Sequence, residues 1–386
     1  MPLSSVCEVE TADRPACRSI RFGGFLLNQD RLNKILARME CQGMNQMILT
    51  DPTAIFYLLG KWILPGERLH ALYLNTEGEA RLVLNRLFPQ EQDLGVSITY
   101  YDDTEDGVSV LNRFIREGGV IGVDKNWPAR FLLRLQELSA GSRYVNGSRI
   151  VDKVRQIKDP AERRLMKESA LKIDEVVGKL IPWTVKGLTE RELNAKCLEL
   201  IREVGFSRPS FEPITAYGKG AADPHHITDD SRGRNGDCAL LDIGGMWRNY
   251  ASDTTRTVFI GEVSPRHREI YEVVREANRR GIEAAKAGNR MCDVDKAGRD
   301  YIASKGFGEY FTHRIGHSIG LEDHEVGDVS LANEEIIEVG QCFSVEPGIY
   351  IPEEGIGVRI EDIVCITDRG CDVLNESPKD LMIVPD

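Results

Sequence analysis

Four carboxylates interrupt the most apolar strand-like runs of this chain. Asp242 follows Cys238-Ala239-Leu240-Leu241, Asp253 precedes Thr-Thr-Arg-Thr-Val-Phe-Ile, Glu346 follows Phe343-Ser344-Val345, and Glu361 follows Val358-Arg359-Ile360. Acids are disfavoured in buried strands, because a desolvated carboxylate is costly unless a cation or a donor answers it. The runs come in two pairs. Residues 238–261 read as a hairpin around a polar, Gly-containing turn, and residues 342–367 as a second that turns at Pro352-Glu353-Glu354-Gly355. Each hairpin carries one carboxylate per strand, and closing it brings opposite residues to about 5 Å. Carboxylates that close repel one another unless a cation sits between them. Any one such acid reads more readily as an exposed strand end or an Asx-type turn residue; four in matching places weaken that reading sharply.

His317, in Gly316-His317-Ser318-Ile319-Gly320, adds one imidazole to the set. Asp, Asp, His, Glu and Glu make an oxygen-rich group suited to two divalent ions about 3.5–4 Å apart, of the Mn, Co, Fe or Zn type. A single structural zinc prefers thiolate and imidazole. Two-metal chemistry acidifies a bridging water, polarises a scissile carbonyl and stabilises the tetrahedral oxyanion, which points to amide or peptide hydrolysis. The same pentapeptide also fits the G-x-S-x-G nucleophile elbow of serine hydrolases. That order needs an acid and then a distant histidine after the serine. The only histidine after Ser318 is His324, six residues on, so the elbow reading fails on order.

The 386-residue length favours two domains, and 41% hydrophobic residues suffice for substantial cores. A net charge of -12 argues against a phosphate-binding surface, so no nucleic-acid partner is expected. No long apolar run suggests a membrane span or a secretory leader, and a cytosolic protein is expected. The nine cysteines are scattered without C-x-x-C, which disfavours a disulfide framework; most are expected to be small core residues.

Along the chain, residues 29–42 carry helical spacing, MNQMILTD and HALYLNTEGEARLVLN read as strands, GGVIGVD as a buried strand, 128–138 as a helix, and SRYVNGSRIVD as strand-like. Residues 1–154 are therefore expected to form a smaller α/β domain. At Asp159-Pro160-Ala161-Glu162 an acidic cap and a proline open a long helix to about Leu180; further helices run from Thr189 to about Val204 and from Ser264 to about Ala287. Residues 155–386 are expected to be α+β, with helices packed on a largely antiparallel sheet.

The sequence resembles the pita-bread metallopeptidases, which include Xaa-Pro dipeptidase (prolidase) and aminopeptidase P. The resemblance is carried in order by ADPHH (222–226), LLDIGGMWRNYASDTTRTVFIG (240–261), HRIGHSIGLEDHE (313–325), SVEPGIYIP (344–352) and GVRIEDIV (357–364), and extends to the N-terminal part through TDPTAIFYLLGKW (50–62). It implies a pita-bread fold behind a creatinase-like N-terminal domain, and a homodimer. It also implies two divalent metal ions, manganese first among the candidates: Asp242 on one ion, Asp253 and Glu361 bridging, and His317 and Glu346 on the other. Glu346 is implied as general base, with His225 and His324 flanking the substrate at its carbonyl and leaving nitrogen. Arg359, two residues before Glu361 and so on the same strand face, is expected to orient a carboxylate, the ligand's or the substrate's. His226 is expected to be solvated, His313 and Arg314 to brace the loop, His70 and His267 to lie at the surface, and Tyr350 and Trp62 to line either the pocket or a core.

Two positions depart from the family pattern. Ser318 stands where glycine is usual, and HEVGDVS offers Asp328 where several prolidases carry an arginine that clamps the dipeptide carboxylate. The implied substrate is a small peptide with proline at its second position. Xaa-Pro dipeptidase is the first reading, aminopeptidase P on longer peptides the second, and a metal-dependent member acting on a small osmolyte the third. A binding protein that kept the fold without catalysis is disfavoured by the intact ligand set and the acidic charge.

Overall fold

The computed structural model describes residues 27–138 and 143–385. The described residues divide into two compact units, with the boundary between Arg155 and Gln156. The first holds, in order, α1 (Gln29–Cys41), β1 (Gln46–Leu49), α2 (Pro52–Leu59), β2 (Ala71–Asn75), β3 (Ala80–Asn85), β4 (Ser97–Tyr101), α3 (Gly107–Asn112), β5 (Val120–Val123), α4 (Ala129–Leu138), β6 (Arg143–Asn146) and α5 (Ser148–Gln156). Its six strands form one mixed sheet in the order β4-β3-β2-β1-β5-β6. Local chemistry sets the boundaries: Asp51 caps α2 ahead of Pro52, and Gly60 ends it in the left-handed conformation.

One expectation here was wrong in its second half. SRYVNGSRIVD is a strand only to Asn146; from Ser148 it is helical, with Ile150, Val151 and Val154 buried at helical spacing. The Asn146 side chain accepts from the Ser148 backbone and turns the chain between the two periods. His70, expected at the surface, is 5% exposed.

The second unit opens with α6 (Pro160–Leu180) and α7 (Glu190–Val204), each begun by a capping box, at Asp159/Glu162 and Thr189/Glu192. It continues through β7 (Ile214–Tyr217), α8 (Gly218–Ala221), β8 (Cys238–Ile243), β9 (Met246–Trp247), β10 (Tyr250–Ala251), β11 (Thr254–Ile260), α9 (Pro265–Ala284), α10 (Met291–Ser304), β12 (Gly316–Ser318), β13 (Glu325–Val329), β14 (Cys342–Val345), β15 (Gly348–Ile351), β16 (Ile356–Arg359), β17 (Asp362–Thr367), β18 (Gly370–Val373) and β19 (Ile383–Val384). The pairing is antiparallel throughout except for β11 with β19. Both expected hairpins are present, and each is broken where an acid sits. β8 pairs with β11 around the small β9–β10 ribbon; β14 pairs with β17 and β15 with β16 around the Pro352–Gly355 turn. The helix α10 had no counterpart in the sequence reading.

Alternation along β8 and β11 divides two cores. Ala239, Leu241, Ile243, Val258 and Ile260 pack on α6 and α7, whereas Cys238, Leu240 and Phe259 join the core under α9 and α10. Asp242 continues the second face, and so do Thr257, Thr255 and Asp253. That face therefore runs from an apolar core into a polar end. Of the cysteines, Cys197, Cys238, Cys292, Cys342 and Cys365 are buried, Cys371 is half-buried and Cys41 is exposed; Cys7 and Cys17 lie outside the described residues. No described helix is long and apolar enough to cross a membrane.

Behind the polar end, Arg256 donates to Asp362 Oδ1 at 2.7 Å and to the Glu361 carbonyl at 2.6 Å, with both side chains almost fully buried. The pair ties β11 to β17 on the far side from the acids. Lys379 Nζ also holds Asp362, 2.8 Å from Oδ2, so removing Arg256 leaves that carboxylate one cation and takes a donor from the Glu361 carbonyl. Arg256→Met is expected to destabilise this unit by about 1–3 kcal/mol in urea unfolding, and no measurable loss would contradict the assignment.

Candidate metal centre

The strand register explains how the acids meet. Asp242 pairs with Thr255, and Asp253 shares the Thr255 face two residues earlier; Glu346 and Glu361 stand one residue beyond the last β14–β17 pair, Val345 with Asp362. His317 enters from β12, which crosses β14 at a glycine: a Cβ on Gly316 would overlap the Ser344 carbonyl oxygen. His317 Nε2 lies 3.5 Å from Asp253 Oδ2 and 3.4 Å from Glu346 Oε1, too far for good hydrogen bonds but suited to ligand atoms that share a cation. Ligand atoms of Asp253, His317 and Glu361 all lie within 4.8 Å of one another. Asp242 and Glu346 adjoin this trio.

The oxygens themselves test whether cations fit. Asp242 Oδ1, Asp253 Oδ1 and Glu361 Oε1 are buried and have no hydrogen-bond partner. Buried polar atoms are normally satisfied, so orphaned acceptors from three acids at one place call for positive charge between them. The donor set fits the divalent ions that the sequence implied. Burial first, then the neighbouring carboxylates, hold Asp253 and Glu361 well above the usual carboxylate range. Glu346 is pushed up to about 7 by burial, against the pull of Arg359 and with a further push from Asp242. Burial, followed by the charges of His324 and Arg314, lowers His317 to about 3, so its imidazole is neutral and able to ligate.

Arg359 is the buried cation of the site. Its Nη2 donates to Asp242 Oδ2 at 2.5 Å, Nε to Thr255 Oγ1 at 3.0 Å and Nη1 to the Tyr350 hydroxyl at 2.7 Å. Thr255 in turn donates to Glu361 Oε2 at 2.7 Å. His313 Nδ1 meets the Arg314 carbonyl, which fixes the proton there and leaves Nε2, 2.9 Å from the Tyr350 oxygen, to accept the phenol proton. The carboxylate that Arg359 orients is thus that of Asp242, one of the expected ligands, and Tyr350 belongs to this network.

The sequence matches metallopeptidase family M24 over residues 164–368 and the creatinase/prolidase N-terminal domain over residues 31–157. The chain belongs to the M24 family. It is 32% identical to an uncharacterized peptidase of Staphylococcus aureus (strain MW2), over 90% of this chain and 99% of that protein. Among solved structures it is similar to a dipeptidase from Pyrococcus horikoshii (33% identity, TM-score 0.86, covering 92% of this chain and 99% of that one). It is equally similar to a prolidase from Thermococcus sibiricus (31%, 0.86, 92% and 98%). The protein is therefore a peptidase of the M24 family, with a pita-bread domain behind a creatinase-type N-terminal domain.

Around this M24 centre the rim residues fall as follows. The His324 ring lies over His317, centroids 3.9 Å apart, and the residue is exposed; His225 is exposed and within electrostatic reach of both His324 and His313. His226, expected to be solvated, instead binds the fully buried Glu190 at 2.6 Å and fastens the loop that presents His225. Glu190, His226 and Asp229 are also close enough to ligate an ion, but Glu190 already accepts from the Tyr217 and Asp229 backbones. His267 is half-buried and stacks on Phe259 rather than lying free at the surface. Arg314 braces only through its carbonyl, and its side chain is exposed. Trp62 stacks on Phe56 within the first unit. Ser318 is buried against Gly327, on the opposite side of β12 from His317.

Sequence reasoning missed Asp323, Thr255 and the Lys158–Glu325 ion pair. Asp323 has a buried, unpartnered Oδ1, and burial followed by Asp242 and Glu346 pushes it up to about 8. The pair, 3.0 Å long and almost fully buried, pins the loop carrying His324, with Glu325 also accepting from the Leu321 backbone. An acid between two family motif residues was the available signal for Asp323.

Raised carboxyls make metal binding a competition with protons. In the metal-free protein Glu346 and Asp323 stay protonated to about pH 7 and about pH 8, so the stability this confers is present at low pH and lost as pH rises through those values. Adding manganese is therefore expected to raise the melting temperature by an increment that grows between about pH 6 and about pH 8. An increment independent of pH across that window would contradict the protonated cluster.

Proposed function

We propose that this protein is a dinuclear-metal Xaa-Pro dipeptidase, and the observation that carries the reading is the convergence of Asp242, Asp253, His317, Glu346 and Glu361 with three orphaned carboxylate oxygens. These residues would hold two divalent ions, manganese first among the candidates, which would supply Lewis acidity to the scissile carbonyl and to the attacking water. Glu346, with its carboxyl near the neutral range, takes the proton from that water. Ser344 Oγ donates to Glu346 Oε1 at 3.1 Å and accepts from the His317 backbone, so the base and the imidazole ligand are fixed together.

The bond before proline is a tertiary amide, whose nitrogen leaves only once it has been protonated. The exposed rings of His225 and His324 stand at the rim to hold the carbonyl and deliver that proton. Arg359 acts at one remove: it holds Asp242 in place and keeps one positive charge among the acids. The neutral His313–Tyr350 pair holds Arg359 from behind.

The choice between dipeptides and longer peptides rests on what receives the substrate's free carboxylate. Asp328 is unsuited, and its own carboxylate already accepts from Ser330. Arg314 is the suited cation: exposed, within electrostatic reach of His317, His324 and Glu346, and in no ion pair among the described residues. The absence of an arginine at 328 supports the second reading, aminopeptidase P; the placement of Arg314 supports the first.

A length series decides between them. On manganese-loaded and cobalt-loaded protein, Xaa-Pro is expected to be cleaved with higher kcat/KM than Xaa-Pro-Yaa; the reverse order would transfer the protein to the aminopeptidase reading. Metal-loaded protein that leaves every Xaa-Pro bond intact would overturn both readings in favour of a small-osmolyte substrate. Arg314→Ala is expected to raise KM for Xaa-Pro by about tenfold to a hundredfold and to change Xaa-Pro-Yaa much less. Equal effects on both would remove Arg314 from carboxylate recognition.

A further inference from the structure

Two of the buried cysteines face each other. Cys342 on β14 stands directly opposite Cys365 on the antiparallel β17, next to the Phe343–Val364 pair. On its other side the Ile366 backbone N–H donates to the Gln341 carbonyl at 2.8 Å. Hydrogen-bonded and open pairs alternate along such a ladder, so the cysteines occupy an open position, where opposite Cα atoms stand about 4.5 Å apart and the side chains leave the same face. A disulfide joins Cα atoms about 4.4–6.8 Å apart, so the backbone is already set for one. Both thiols are free.

Their surroundings differ from those of an ordinary core cysteine. Phe343, Val345, Val364 and Ile366 alternate with them and fill the core under α9 and α10, and Cys371, opposite Ile366, packs on that side too. Cys342 and Cys365 look the other way, toward Lys158 and Arg163, which are within electrostatic reach of both sulfurs. The chain ahead of α6 runs beside β14 here, with Lys158 N donating to the Gly340 carbonyl at 2.8 Å. Lys158 is held by Glu325, but Arg163 Nε is buried without a hydrogen-bond partner. Cations beside a thiol favour its thiolate. The two sulfurs also differ from each other. Cys342 is 0% exposed, and burial holds its thiol well above the usual range. Cys365 is 3% exposed and lies one strand from the sheet edge, where Asp372 of β18, opposite it, is open to solvent. The neighbouring Cys342 thiol, then Arg163 and Lys158, lower the Cys365 thiol against its burial.

We propose that Cys342 and Cys365 are a peroxide-sensitive pair that closes reversibly to a disulfide between β14 and β17, with Cys365 as the attacking thiol and Cys342 as the resolving one. The Cys365 thiolate attacks one oxygen of hydrogen peroxide and the O–O bond breaks; the hydroxide released takes up a proton and leaves as water, and Cys365 becomes a sulfenic acid. The Cys342 sulfur then attacks the Cys365 sulfur and the S–O bond breaks. Its hydroxide leaves with the Cys342 proton as a second water, and the disulfide remains. The two thiols are oxidised by two electrons and the peroxide is reduced by two. A pair this deeply placed suits a small oxidant rather than a bulky disulfide, because exchange depends on access to the sulfur.

Peptide mapping tests this on the wild-type chain. Reduced protein is treated with hydrogen peroxide, its remaining thiols are alkylated under denaturing conditions, and the digest is read by mass spectrometry. A cross-linked peptide joining Cys342 to Cys365 is expected, and it is expected to disappear when the oxidised protein is treated with dithiothreitol before alkylation. Single variants assign the order. With peroxide and dimedone, which tags sulfenic acids, Cys342→Ala is expected to be labelled at Cys365, and Cys365→Ala to carry at most about a tenth of that label at Cys342. A wild type in which both cysteines are alkylated although the exposed Cys41 has been oxidised would overturn the proposal. So would a cross-link from either to Cys371, a cross-link that dithiothreitol leaves intact, or a label that favours Cys342 over Cys365.

Discussion

Mutual repulsion among buried and half-buried carboxylates is the constraint on which this structure turns. Asp242, Asp253, Asp323, Glu346 and Glu361 share one polar end of the second unit, and Arg359 is the cation buried with them. The nearby Arg256 is already committed to Asp362 and to main-chain carbonyls. Among the described residues no further group cancels the remaining charge, so the apoprotein holds protons there, which the proposed divalent ions would replace. The fold accepts this cost by breaking both hairpins at the acids. Each carboxylate lies at a strand end or at a gap between strands, while the apolar faces of β8, β11, β14 and β17 carry the packing.

The surrounding groups divide by burial into two kinds. Arg359, Tyr350, His313 and Thr255 are linked by hydrogen bonds that fix where protons sit, and His313 is lowered to about 3 by burial and by Arg359, so that network does not titrate near neutrality. His225, His324 and Arg314 are exposed at the rim, where a substrate can reach them. On the proposed reading the inner network positions the metal ligands and the outer groups meet the peptide. The His226–Glu190 and Lys158–Glu325 pairs lie between the two kinds and steady the loops from which His225 and His324 project.

What could be read in the sequence follows from periodicity. Asp242, Asp253, Glu346 and Glu361 stood out because they contradicted apolar runs with period two, and the structure places all four together with His317. The identity of Arg359's partner could not be read: Asp242 is 117 residues away, and only the stacking of one hairpin on the other brings them together. Asp323 lies in a short irregular loop with no period to violate, so its burial had no local signature. His226 and His70 were misjudged for the same reason, since their burial comes from distant segments. The helix from Ser148 was hidden by the strand before it, whose residues run into it with only Gly147 between.

The central claim is that the acids are a two-ion site, and metal stoichiometry tests it most directly. Purified protein stripped with a chelator, reloaded with manganese and analysed for bound metal is expected to hold two ions per chain, and Asp253→Asn, which removes a bridging charge, fewer than two. One ion per chain in the wild type, or two retained by the variant, would contradict the account.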